Sequence, residues 1–197
     1  QVTAANSGAA VEGELRVTTG SERPIFSTPI SLPNQSNKRV SFPVHLPVNS
    51  TQLTVELVDE AGTRIQLAAT NNIKTLDENS MLYGVITPDP DALDLLDSVT
   101  VGRAEAAVAF LTIADLPTSA LGYDMLDVLI ISNVDSSQFS ASQITALDNW
   151  LQFGGQLVVT GGANWQQTTA AFSDWLPVTP TDTTSVDDLP TLAEEFR

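Results

Sequence analysis

The residues able to do chemistry in this chain are almost all oxygen-bearing. The sequence holds no cysteine and a single histidine. That removes thiolate nucleophiles, disulfides and cysteine-ligated metals together. His45 stands in the alternating run Val40, Phe42, Val44, Leu46, on the face opposite those apolar residues, which reads as an exposed strand histidine. A Ser-His-Asp triad would need His45 to reach Ser132 or Thr160 across the length of the chain. What remains are carboxylates, hydroxyls and amides. Asp89, Asp91, Asp115 and Asp135 could hold a hard divalent cation or act as an acid/base pair. Asp89-Pro90-Asp91 does not follow a calcium-loop pattern, and helix capping accounts for either aspartate. No metal or cofactor is expected.

Thr160-Gly161-Gly162 carries the most pointed motif. Paired glycines between a strand and a helix let backbone N–H groups face an anion or an oxyanion. The spacing matches neither a dinucleotide fingerprint nor a Walker loop, so a tight connection is the plainer reading. Thr160 could serve as a nucleophile only with a base beside it. Trp165 and Trp175 follow that turn and could stack on a sugar or cover the core.

These residues gather only if the elements before them do. Apolar runs at Tyr83 to Ile86, Ala107 to Ile113, Val128 to Ile131 and Leu157 to Val159 read as buried parallel strands. Helical patterns separate them. Ser140 and Gln143 form a capping box ahead of a helix whose apolar face is Ile144, Leu147 and Leu151, with Trp150 beside it, and Gly154-Gly155 stops it. An earlier helix, capped by Asp89 or Asp91, would bury Leu93 and Leu96, and a last helix spans about Trp165 to Trp175. In such a sheet ligands sit beyond the carboxyl ends of the strands. There the sequence places Asp89, Asp115, Asn133, Asp135, Thr160, Gly161, Gly162 and Trp165.

Ahead of residue 79 the pattern is different. Alternation at Glu14 to Thr18, Val40 to Leu46 and Leu53 to Val58 marks half-buried strands, with Ala61-Gly62 turning into a hairpin strand over Arg64 to Leu67. Pro33 to Asn37 reads as a loop, and the many prolines put some strands at sheet edges. The expected architecture is an immunoglobulin-like β-sandwich over residues 1–78. A Rossmann-like, three-layer α/β domain with a mainly parallel sheet follows over 79–178, and a linker or tail over 179–197.

Charge divides the chain the same way. Residues 1–78 carry 6 basic and 8 acidic groups, residues 79–197 carry 2 and 16, and the whole stands at −16. So acidic a second half repels nucleic acid and anionic membranes. No run is long enough to span a bilayer. The small, polar start from Gln1 to Ala10 reads as a mature chain after a signal peptide has been removed, which favours an exported protein.

Two runs then carry a resemblance. Tyr123 to Ser132 contains Asp127-Val128-Leu129-Ile130-Ile131-Ser132. Leu147 to Gly162 contains Trp150, Gly154-Gly155 and Leu157-Val158-Val159-Thr160-Gly161-Gly162. Together they resemble the class I glutamine amidotransferase-like fold, in the degenerate form found in exported, membrane-anchored bacterial proteins, where a β-sandwich precedes it. The resemblance extends over about residues 10–180. It implies that Thr160-Gly161-Gly162 stands where catalytic relatives carry their cysteine. With no cysteine there and no histidine after His45, no residue inherits that activity. The expectation is a non-catalytic binding or scaffold module of a surface protein, with an unidentified protein or carbohydrate as partner. It would be extracellular and anchored through its parent protein. Two alternatives stand beside it: a carboxylate- or metal-dependent glycan hydrolase, and a carbohydrate-binding module.

Overall fold

A computed structural model describes residues 2–18, 26–41, 44, 52–70, 73, 75–76, 79–98, 100–101 and 104–184. The fold is mixed, with antiparallel and parallel sheets and few helices. Two compact units can be distinguished. The first comprises residues 1–80 with 101–105 and 121–123, and the second holds the remainder.

The first unit is built from β1 (Val2–Asn6), β2 (Val11–Thr18), β3 (Phe26–Leu32), β4 (Ser36–Val40), β5 (Leu53–Asp59) and β6 (Arg64–Thr70). Among the described residues their pairings are antiparallel, in a four-stranded sheet ordered β3-β2-β5-β6 and a two-stranded sheet β1-β4. Period-2 alternation places Leu15, Ile30 and Leu32 on one face of the larger sheet. Val2, Ala4 and Val40 of the smaller sheet pack against them. The β5–β6 hairpin closes as its sequence dictates. Gly62 takes the left-handed conformation at φ 80°, donates to the Asp59 carbonyl at 2.9 Å, and lets the Thr63 N–H reach the Asp59 carboxylate at 2.7 Å. Pro29 lies in β3, an end strand of its sheet, where a missing N–H costs no ladder bond.

Two expectations for this unit are corrected. The strand foreseen from Val40 to Leu46 ends at Val40, because Ser41 and Val44 lie outside any strand. Alternation of apolar residues does not supply a pairing partner, and Pro43 cannot donate to one. His45, Phe42 and Leu46 fall outside the described residues. Ser36 and Asn37, foreseen as loop, open β4, so the turn is confined to Asn34 and Gln35, the latter at φ 54°.

A five-stranded sheet, most of it in the second unit, comprises β7 (Met81–Ile86), β8 (Thr100–Val101), β9 (Ala104–Phe110), β10 (Val128–Ile131) and β11 (Gln156–Val159), ordered β11-β10-β7-β9-β8. β10 runs parallel to both β7 and β11, and β7 runs parallel to β9. Strands buried on both faces need apolar residues at every position, and Val128-Leu129-Ile130-Ile131 is buried throughout. Tyr83, Val85, Val128 and Ile130 point to one face, where Leu93 and Leu96 of a 3₁₀ segment, Pro90–Ser98, cover them. Asp127 fixes the start of β10. Its N–H donates to the Leu82 carbonyl at 3.0 Å, and its carboxylate accepts from the Leu82 N–H at 2.7 Å.

The helix α1 (Ala141–Gln152) has the foreseen capping box. The Ser140 hydroxyl accepts from the Gln143 N–H at 3.2 Å, and the Gln143 side chain accepts from the Ser140 N–H at 2.9 Å. It ends in a Schellman motif: the Gly154 N–H donates to Leu151 and the Gly155 N–H to Trp150, with Gly154 at φ 102°. Its buried face differs from the expected one. Gln143, Ala146, Leu147 and Trp150 are buried, whereas Ile144 and Leu151 are half-buried. A glutamine can head that stripe because its amide donates to the carbonyls of Ile113 at 2.7 Å and Leu116 at 3.2 Å.

Three further boundaries shift. The second strand spans Ala104–Phe110 rather than 107–113, since Ile113 opens a 3₁₀ turn capped at Thr112. The segment after Asp89 is 3₁₀ rather than α. The last helix is broken into α2 (Trp165–Thr169), a 3₁₀ turn Ala170–Phe172 and a further turn over 173–175.

Gly155 gives the sharpest test of this packing. A Cβ at that position would fall on the Trp150 indole. Gly155→Ala is expected to lower stability by about 1–3 kcal/mol through overpacking. Urea unfolding followed by tryptophan fluorescence measures it.

Candidate functional site

The strand order decides where a ligand crevice lies. The chain passes from β7 out to β9, then crosses back to β10 on the other side of β7. Loops leaving β7 and β10 therefore depart in opposite directions, the arrangement in which open parallel sheets place a ligand crevice at the strands' carboxyl ends. Three ladder bonds carry the sheet up to this rim. The Leu111 N–H donates to Val85, Ser132 to Ile86 and Thr160 to Ile131, at 2.8–2.9 Å.

Beyond that ladder, the loops after β10 and β11 are tied by side chains. The Thr160 hydroxyl donates to the Ser132 hydroxyl at 3.0 Å. The Asn164 amide donates to the Asn133 side-chain oxygen at 2.7 Å. The Ser136 hydroxyl donates to the Gln167 carbonyl at 2.6 Å and accepts from the Ala171 N–H at 3.1 Å. Asn133 sits at φ 52°, a left-handed conformation that asparagine tolerates better than bulkier residues. Of the residues foreseen at this rim, Asn133 and Thr160 are thus drawn into contact with the neighbouring loop.

The glycines behave as a connection. Gly162 takes φ 104°, which requires glycine, and its carbonyl accepts from the Trp165 N–H at 3.1 Å. Gly161 is exposed, with open space where a side chain would stand. Trp165 is half-buried at the start of α2. Trp175 is half-buried too and lies against Phe172, ring centroids 5.6 Å apart. Phe172 in turn meets Phe139 edge-on at 5.3 Å.

The aspartates serve separate local duties. The Asp115 carboxylate accepts from the Thr112 N–H at 2.9 Å and from the Thr112 hydroxyl at 2.6 Å, closing a capping box over its own 3₁₀ turn. Asp135 caps the turn Ser136–Gln138, accepting from the Ser137 N–H at 3.0 Å. Hydrogen bonds from the Ser137 side chain and backbone hold its carboxyl below the usual range, so it is ionised at neutral pH. Asp89 is exposed. Its N–H donates to the Thr87 hydroxyl at 3.2 Å. Among the described residues no group of three or more histidine, cysteine or acidic side chains is placed to hold a metal ion.

Ser136 was not singled out by its sequence context. It is 1% exposed and stands in a run of serines with no motif spacing. Beside it lies an open groove of about 520 Å³, walled by Asp135, Ser136 and Ser137 on one side and by Gln166, Gln167, Ala170 and Ala171 on the other. A larger groove, about 750 Å³, lies in the first unit among charges of both signs, including Glu12, Glu14, Arg16 and Lys38. There Arg16 is already paired with Glu14 at 2.8 Å. The smaller groove is the better candidate, because it adjoins the strand-end rim and has alanines in its wall.

Ser136→Ala should leave the Gln167 carbonyl and the Ala171 N–H without their partner. The expected cost is about 1–3 kcal/mol. Thr160→Ala, which removes one half-exposed bond, should cost about 0.5–1.5 kcal/mol. Parallel thermal melts of the two variants rank them.

A family model described as a domain of unknown function (DUF8726) matches residues 1–75 of the chain, the span of the antiparallel strands. No curated protein and no solved structure matches it.

Proposed function

We propose that the chain is a non-catalytic binding or scaffold module of an exported or cell-surface bacterial protein. In this reading an immunoglobulin-like β-sandwich precedes a Rossmann-like, amidotransferase-like α/β domain that offers its strand-end rim to a protein or carbohydrate partner. The antiparallel strand pairs around one apolar cluster favour the first part. A parallel sheet with its first strand inside the order favours the second. The surface assignment rests on the resemblance at 123–132 and 147–162 and on the acidity of the second half.

One observation carries the functional part. The hydroxyls and amides at the rim are bonded to one another: Thr160 to Ser132, Asn133 to Asn164, Ser136 to the α2 backbone. A nucleophile needs a base within hydrogen-bond reach, and the partner that Thr160 has is another hydroxyl. Of the aspartates that a hydrolase would use instead, Asp115 and Asp135 are engaged in separate turns.

The test is a substrate panel of glycans and carboxamides, run on the wild-type chain and on a variant combining Asp89→Asn, Asp115→Asn and Asp135→Asn. Asparagine is as good a cap as aspartate, so the variant should keep its fold. Neither protein is expected to turn over any member of the panel. Turnover by the wild type that disappears in the variant would reverse the assignment.

A further inference from the structure

We propose that the groove between Asp135–Ser137 and Gln166–Ala171 docks a partner segment in which an apolar side chain stands next to a lysine or arginine. The inference rests on the binding-module reading and names the chemistry of the partner. Its first support is shape. The groove, about 520 Å³, is of the size that accepts small ligands and side-chain anchors. Ala170 and Ala171 line it without any polar side-chain atom, and Gln166 and Gln167 border them. The buried Ser136 hydroxyl beneath is fully engaged with Gln167 and Ala171, so it offers no polar group that an apolar anchor would leave unpaired.

The second support is charge. Asp135 stands at the groove's edge as a fixed carboxylate, its orientation set by the bond from the Ser137 N–H. Residues 79–197 carry 16 acidic groups against 2 basic ones. A field of that sign draws cationic segments toward the surface and turns anionic ones away. A partner that inserted an apolar residue and set a cation beside Asp135 would satisfy both features. An acidic or purely apolar segment would satisfy one at most.

The rim walls are held rather than free to collapse into the groove. The Ser136 hydroxyl bridges both sides, and the Asn133–Asn164 bond joins the loops that lead into them. Preformed walls lower the ordering cost of binding.

The experiment uses the isotopically labelled full chain and two probe peptides of equal length, one alternating lysine and leucine, the other glutamate and leucine. The lysine peptide is expected to shift the amide signals of Ser137, Gln166, Gln167 and Ala170, and the glutamate peptide to leave them in place. Asp135→Asn should weaken the lysine peptide about threefold, the range of an exposed ion pair. Ala170→Arg, at an exposed position, should abolish the response by filling the groove with a cation. If that variant loses its dispersed spectrum, Gln166→Arg, also exposed, applies the same block. Shifts spread evenly over the acidic surface, shifts that persist in the blocked variants, or no shift with either peptide would overturn the proposal. The binding-module reading fails separately, through turnover in the substrate panel.

Discussion

Where a parallel strand stops, its last backbone groups and the polar side chains of the loop above it lose the ladder that kept them bonded. Each must find another partner or remain in water. In this protein the loops after β10 and β11 solve that problem for each other. Ser132 meets Thr160, Asn133 meets Asn164, and Ser136 takes both a carbonyl and an N–H from the segment around α2. The same contacts that finish the sheet also bond the rim's hydroxyls and amides to one another.

The acidic residues follow a similar economy. Asp127 accepts from the Leu82 N–H near the start of β7, Asp115 closes the turn after β9, and Asp135 closes the turn after β10. A carboxylate is the strongest acceptor for such orphan N–H groups. Part of the second unit's negative charge is thus a by-product of terminating short elements. The rest is an excess of acidic over basic groups that no local turn requires.

Much of the fold was legible because local rules and tertiary packing agree in most elements. β10 and α1 fall where their patterns place them, the first because four apolar residues need burial on both faces, the second because Ser140 and Gly154 mark its ends. Disagreement arises where a polar residue is buried or a strand stops short of its apolar alternation. Gln143 heads the buried face of α1 although its type argues for solvent, since two carbonyls from the loop after β9 require its amide. The alternation after Val40 continues in sequence while the strand does not.

By itself the sequence determined the absence of thiols from the chain and of imidazole after residue 45, the change from alternating to doubly apolar strands near residue 79, and the set of oxygen-bearing residues near the strand ends. These follow from residue type and period alone. Only the tertiary structure decided which of those oxygens face one another. Ser132 and Thr160 lie 28 positions apart, Asn133 and Asn164 lie 31 apart. Strand order brings such pairs together, and hydrogen bonds form at distances of about 3 Å that no spacing along a chain encodes. The role of Ser136 is the clearest instance. Its burial and both its bonds depend on where α2 comes to rest, and nothing within its own stretch of sequence distinguishes it from Ser137.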